Sequence, residues 1–337
     1  MGGETMKKID RVRAALAGAG LDRPPYGFWT HMPGIDLDPE RLATETAAFA
    51  ARYDLDFVKS MSNGLYCVED WGAKCDFSEI ERGGVARVVF PAIRAAGDWD
   101  KLGDVDIEAG AFGRELRHFR RLARLAGPDV PVLATVFSPL TIASKLSNGL
   151  HRDHLAGAPQ NMAHGLDIIT RVTCRFAQAA IACGCAGIFF AVQDASYGVF
   201  DEASYRKFGA PCDRQVLAAA RSAGGWFNVV HMHGEDVMFD LLSEYDADAL
   251  NWHIGETPPS LRDYRVASGT RAIVGGLQRG HITRRDFAAI RGDVERSIAE
   301  TGGRGILLAP ACVIRHPVDD ATLRRTADLI QGLARAA

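Results

Sequence analysis

Two histidines separated by one residue, His231 and His233, end an apolar run, WFNVVHMHG. In a β-strand, alternate side chains point to one face about 7 Å apart, so both imidazoles can converge on one point. Two imidazole nitrogens suit a zinc ion. A thiolate would complete a set of three donors and leave one coordination position open for chemistry. Cys312, in the run GILLAPACVI, is the thiol placed to do so. The same residues also fit two hydrogen-bonded histidines in a polar strand mouth beside an ordinary buried thiol. The H-x-H spacing alone leaves both alternatives open.

The ends of other apolar runs supply further candidates: His31, Lys59 with Ser60, Ser138, Gln193 with Asp194, Asn251 with His253, and Gln278 with Arg279. Asp194 and His253 are expected to be catalytic groups that handle protons, and His253 also suits a fourth ligand or a plain hydrogen-bonded residue. His31, Gln193, Gln278 and Arg279 are expected to contact substrate, with Arg279 directed at an anionic group. Glu235 and Asp236 follow the H-x-H, where they suit carboxylates that orient the imidazoles and, better, the acidic first turn of a helix. His151 and His154 have H-x-x-H spacing in a stretch without a helical pattern, which predicts a lid or plain surface. Cys183 and Cys185 precede a run and are expected to be structural. No G-x-S-x-G elbow accompanies a serine, histidine and aspartate.

Eight short apolar runs must position these groups. They cover 25–31, 55–61, 131–139, 187–194, 226–234, 247–254, 271–278 and 305–314. Helical patterns lie between them at 39–52, 112–125, 160–182, 205–223, 236–242, 284–300 and 320–334. Strands alternating with helices predict a parallel sheet, and eight such units predict a closed (β/α)8, or TIM, barrel. In such a barrel the catalytic groups come from the C-terminal ends of the strands, where all these candidates fall. An open doubly wound sheet is the alternative. No GxGxxG or GxxxxGK[ST] follows a strand to support it. Two longer stretches, 63–106 with a strand-like run at 85–90, and 148–161, are expected to be lids.

The chain has 337 residues, 47% hydrophobic and 24% charged, with a net charge of -3. Without a basic stripe, nucleic acid and anionic membranes are not expected partners. No apolar stretch reaches the ~18 residues of a membrane span. Seven irregularly spaced cysteines and a polar start from Met1 to Arg11 predict a cytoplasmic protein with reduced thiols.

From Asn228 onward, NVVHMHGEDVMFDLLSEYDADALNW, AIVGGLQRG and GILLAPACVIRHPVDDATL resemble the C-terminal half of the uroporphyrinogen decarboxylase and zinc methyltransferase superfamily. YGFWTHMPGID, FAARYDLDFVKSMSNGLYCVEDWG and FSPLTIASKL are similar in layout to its N-terminal half. The resemblance covers nearly the whole chain and implies one (β/α)8-barrel domain over 1–337. It also implies one of two chemistries: haem-pathway decarboxylases that need no metal, or zinc-dependent methyltransferases that activate a thiol or serve corrinoid proteins. The decarboxylases grip substrate carboxylates with an arginine-rich MRQAGR segment after the first strand. Here residues 29–36 read WTHMPGID, without an arginine. They also place a histidine in the eighth-strand turn, where this chain has Cys312. The methyltransferases carry H-x-C on the fifth strand and a cysteine on the eighth, all zinc ligands. His231 and Cys312 match that pattern, and His233 stands where the cysteine would be, which keeps a ligand but lowers the negative charge on the metal.

The resemblance therefore implies a zinc-dependent methyltransferase acting on a small molecule, with a corrinoid protein as methyl donor, as a monomer or homodimer. A metal-independent decarboxylase is the alternative, and a barrel that binds a ligand without turnover is a third. The crowd of ionisable strand ends argues against the last.

Overall fold

The structure is a computed structural model that describes residues 6–78, 86–267 and 269–333. Its main sheet is parallel and has seven strands, ordered β1-β4-β5-β6-β7-β8-β9. These are β1 (Val58–Lys59), β4 (Val132–Phe137), β5 (Gly187–Val192), β6 (Val229–Met232), β7 (Ala249–Trp252), β8 (Ala272–Leu277) and β9 (Ile306–Pro310). All seven are buried along their whole length, and their runs of valine, isoleucine, leucine and phenylalanine are those of a parallel sheet covered on both faces. Between β1 and β4, β2 (Lys74–Asp76) and β3 (Arg87–Phe90) pair antiparallel. This ribbon contains most of the strand-like run expected at 85–90; residue 85 lies outside the described residues.

Among the described residues, seven strands, not eight, form the ladder. The first expected run, 25–31, joins through two isolated parallel bridges, Tyr26 to Leu308 and Thr30 to Ile314. The amide of Gly27 donates to the Leu308 carbonyl, and the amide of Asp56 donates to that of Tyr26. The segment thus bonds to β9 on one side and to the approach to β1 on the other. Both edge strands of the sheet flank it, so the sheet is curled.

Helices fill the return paths, and most start where side chains can satisfy their free amides. Asp38 caps the helix Pro39–Arg52 by accepting from the amides of Glu40 and Arg41, and Pro39 occupies its first turn. Asp319 caps Asp320–Gly332 through Thr322; the expected end of that helix, residue 334, lies outside the described residues. Three helical expectations change. The helix at 205–223 is two, Glu202–Phe208 and Ala210–Ser222, because Pro211 has no amide to donate back to Lys207. The helix at 284–300 starts at Phe287, since Arg285 takes a φ of 60° and Asp286 is the cap.

The helix at 236–242 starts only at Phe239. Residues 235–238 instead follow the chain after β5. The amide of Tyr197 donates to the Asp236 carbonyl, that of Met238 donates to the Ala195 carbonyl, and Ser196 Oγ donates to the Glu235 carbonyl. Asp236 has a φ of 49°. Glu235 and Asp236 therefore do not form a first helical turn.

A buried ion cluster holds the other end of the sheet. Asp56 is 0% exposed and accepts from Arg11 Nη1 at 2.6 Å, Arg23 Nη1 at 2.6 Å and the Tyr26 amide at 3.0 Å. It ties the N-terminal helix Lys8–Leu16 and the 25–31 segment to β1. Removing one partner of such a cluster leaves buried charge without compensation, which costs about 3–5 kcal/mol. We expect Asp56→Ala to lower unfolding stability by about that much. A urea-denaturation difference below about 1 kcal/mol would contradict the structural role given to it.

Candidate metal centre and cavity

The parallel register between β6 and β7 sets His231 directly opposite Asn251. Asn251 Nδ2 donates to the Val274 carbonyl at 2.6 Å, so its Oδ1 must be the atom that faces His231 Nδ1. With Oδ1 as acceptor, the imidazole carries its proton on Nδ1 and keeps the Nε2 lone pair free. Two residues further along each strand, His233 and His253 fall on the same side as His231 and Asn251. The amide of His233 donates to the Val192 carbonyl, which fixes the backbone there. The three imidazole centroids are 5.2–5.9 Å apart.

Cys312 closes the cluster from the turn after β9, with Sγ 3.7 Å from His233 Nδ1. One donor atom from each of His231, His233, His253 and Cys312 lies within 4.8 Å of every other. A tetrahedral zinc with bonds of about 2.0–2.3 Å needs its donors roughly 3.3–3.8 Å apart. The cluster fits after a contraction of about an ångström, well within side-chain rotation. His253 Nε2 is buried without a hydrogen-bond partner, while its Nδ1 lies 3.3 Å from Glu256 Oε2. A buried nitrogen left free in a ring of donors is what a metal ligand needs.

Electrostatics favour the ligating forms of the imidazoles. Burial, reinforced by the neighbouring His233 and His253, holds His231 well below its ordinary value. Burial also lowers His233 to about 4, with help from His253, Lys145 and Arg279. His253 is lowered by burial and by Arg279. All three are therefore neutral at pH 7. Burial pushes the Cys312 thiol up, against the pull of Arg279 and Lys59. Without a cation in the cluster this cysteine is a neutral thiol, and a bound cation would favour its thiolate.

The cluster borders a cavity of about 340 Å³ whose walls include Trp29, His31, Phe137, Phe189, Gln193, His231, His233, Arg279 and Cys312. Phe189 stacks on His231, centroids 5.0 Å apart, and Trp29 meets Phe189 edge-on. His31 is held to about 4, first by burial and then by Lys59 and Arg315. Of the residues the sequence offers as substrate contacts, His31, Gln193 and Arg279 line this cavity. Gln278 does not: its amide side chain packs against Gly255, where an added Cβ would come within 2.8 Å of Nε2. Asp194 is also absent from the walls. It is buried, with Oδ1 3.1 Å from His151 Nε2.

His151 corrects an expectation. It opens a helix, His151–Gly157, and is only 2% exposed, packed edge-on to Phe200. It is not plain surface. His154 accepts from Trp99 Nε1 at 3.1 Å. Cys183 and Cys185 are buried just ahead of β5, away from the cavity walls. Sequence reasoning assigned no role to three further wall residues, Lys59, Lys145 and Arg315. Lys59 stood out only as a cation at the end of an apolar run. Lys145 and Arg315 had no periodic or motif signal.

The α/β fold has a curled parallel sheet, and the histidine and cysteine cluster stands at the C-terminal ends of its strands, where barrel enzymes place their active sites. The chain belongs to the uroporphyrinogen decarboxylase family, whose model, described as "Uroporphyrinogen decarboxylase (URO-D)", matches residues 7–332. Uroporphyrinogen decarboxylases of Geobacillus thermodenitrificans (strain NG80-2) and Geobacillus kaustophilus (strain HTA426) are 27% and 25% identical to it over 209 residues. That region is 58% of this chain and 56% of theirs, so the chain spans little more than half the length of these curated relatives.

Among solved structures, a methyltransferase from Methanosarcina mazei superposes with a TM-score of 0.83 at 18% identity, over 99% of both chains. A B12-independent methionine synthase from Shewanella sp. W3-18-1 superposes with a TM-score of 0.59 at 11% identity, over 93% of this chain and 97% of that one. At these identities the likeness is one of fold.

The buried imidazoles make stability depend on pH in one direction. His31 and His233 fall to about 4 in the folded chain, against 6.5 ordinarily. The unfolded chain then binds more protons between those values. The stability involved is fully present above about pH 6.5 and is lost as the pH falls towards 4. For metal-free protein we expect the urea midpoint to drop from about pH 7 to about pH 4.5, and His31→Gln to remove part of that slope. A midpoint that stays flat across this window would contradict the assignment of two buried neutral histidines.

Proposed function

We propose that this chain is a zinc-dependent methyltransferase of the uroporphyrinogen decarboxylase superfamily, built on a (β/α)8 barrel in which the 25–31 segment serves as the remaining strand. The observation that carries the reading is the four-donor cluster of His231, His233, His253 and Cys312 at one end of a small-molecule cavity. Three imidazoles kept neutral by burial and one thiol are donors that suit zinc, and they bring at most one negative charge. His231, His233 and Cys312 would hold the zinc, leaving the fourth position, beside His253, to a thiol or similar nucleophile that the metal's Lewis acidity would keep in its anionic form.

The chain's own residues do the rest. Asn251 orients His231, and Glu256 lies against His253 on the side away from its free nitrogen. Phe189 and Trp29 form an apolar wall that excludes water beside the donors. Gln193 and His31 supply polar contacts for the bound molecule. In this reading the methyl group comes from a corrinoid carried by a partner protein, for which the support is the family resemblance. The likeness to a methyltransferase and a methionine synthase is one of fold and gives the reading its setting.

A metal-independent decarboxylase remains the second reading, favoured by the curated relatives and by the cationic cavity walls. The size of the cavity argues against a tetrapyrrole substrate. About 340 Å³ among the described residues is at the low end for small-molecule sites, roughly 300–1,000 Å³. The 29–36 segment also has no arginine to grip multiple carboxylates.

Metal analysis tests the proposal. We expect about one zinc per purified chain, lost in His231→Ala and in Cys312→Ala, with His253→Ala weakening affinity by roughly 10–100-fold. Folded protein that takes up no zinc under saturating conditions would refute it.

A further inference from the structure

The walls of the cavity carry charge of one sign. Lys59, Lys145, Arg279 and Arg315 line it, and among the described residues no aspartate or glutamate does. They arrive from four segments: the end of β1, the helix Pro139–Leu146, the start of the helix Arg279–Thr283 and the turn after β9. Among the described residues none of the four forms an ion pair with a carboxylate. The opposite end of the sheet makes the contrast plain, since Arg11 and Arg23 there are balanced by two carboxylates, Asp56 against both and Asp22 against Arg11.

Lys59 is the deepest of the four, 7% exposed. Its ammonium has one hydrogen-bond partner, the Ser60 carbonyl at 3.1 Å, and lies 5.1 Å from the Phe189 ring centroid. Lys145 lies 5.0 Å from the centroid of Phe137. Aromatic faces attract cations but bring no compensating charge. Nor does the donor cluster, whose imidazoles and thiol are neutral and which would gain positive charge with a divalent metal. A buried ammonium without a counter-ion is costly, so the missing anion belongs to whatever occupies the cavity.

We infer that the cavity binds a small molecule bearing at least two negative charges on oxyanion groups, a dicarboxylate or a phosphorylated compound, with Lys59 gripping the deeper group. Arg279 and Lys145, both half-buried, hold the outer group, and the exposed Arg315 stands at the rim. This names the substrate class of the site proposed above. It rests on that site's location but not on zinc, because the uncompensated charge belongs to the protein itself. The volume restricts the class to small polyanions.

Isothermal titration with succinate, inorganic phosphate and the neutral analogue succinamide tests the inference. We expect one molecule of succinate or phosphate to bind per chain, and the tighter of the two identifies carboxylate or phosphate as the group recognised. Succinamide should not bind. Lys59→Met and Arg279→Gln should each weaken anion binding at least tenfold. Should Lys59→Met fail to fold, Arg279→Gln and Arg315→Gln, at more exposed positions, carry the test. The inference is overturned if neither anion binds, if succinamide binds as tightly, or if folded variants bind the anions unchanged. Repeating the titration after chelation separates the two proposals. Anion binding in folded protein that takes up no zinc under saturating conditions overturns the zinc reading alone, whereas one zinc per chain without anion binding overturns this inference alone.

Discussion

The register between β6 and β7 is the constraint on which the site depends. Because His231 stands opposite Asn251, the residues two further along, His233 and His253, must share its face of the sheet. A shift of one residue would send all of them to the helix-covered side and bring Met232 and Trp252 inward. Those two side chains are fully buried where they stand, so the packing of the sheet's outer face holds the register that the inner face needs. Cys312 then joins from β9 because the sheet curls, bringing its thiol to His233 across 79 residues of sequence.

Charge is arranged along the sheet with equal economy. At the end towards the N-termini of the strands, two carboxylates, Asp56 and Asp22, balance two guanidiniums, and the result is a closed structural cluster. At the C-terminal end, histidines are kept neutral by burial and, among the described residues, the cations of the cavity wall are left without carboxylate partners. Such a separation suits a fold that keeps stability at one end and chemistry at the other. The His151 and Asp194 pair lies behind the cavity wall, so two groups with evident acid-base potential serve the surroundings of the site and not its surface.

Much of this was legible in the sequence, for identifiable reasons. Apolar runs alternating with helical periods mark strands and helices because a strand covered on both faces reads as a short unbroken apolar run, whereas helical burial repeats every 3.6 residues. His231, His233 and Cys312 could be chosen because ionisable groups at strand ends are conspicuous against apolar runs. Gln278 and Asp194 could not be placed from the same signal, since a one-residue difference at a strand end decides between cavity and packing. His151 was misjudged because its burial comes from Phe200 and Asp194, far from it in sequence.

The sequence by itself determined the α/β class, the side of the sheet on which the donor cluster lies and three of the four clustered donors. Those features follow from local periodicity and from which residue types end each run. Tertiary structure alone decided that His253 joins the donors, that the 25–31 segment enters by isolated bridges, and that Lys59, Lys145 and Arg315 share a wall with Arg279. Those features depend on how far the sheet curls and where each turn leaves it, distances that no local pattern encodes.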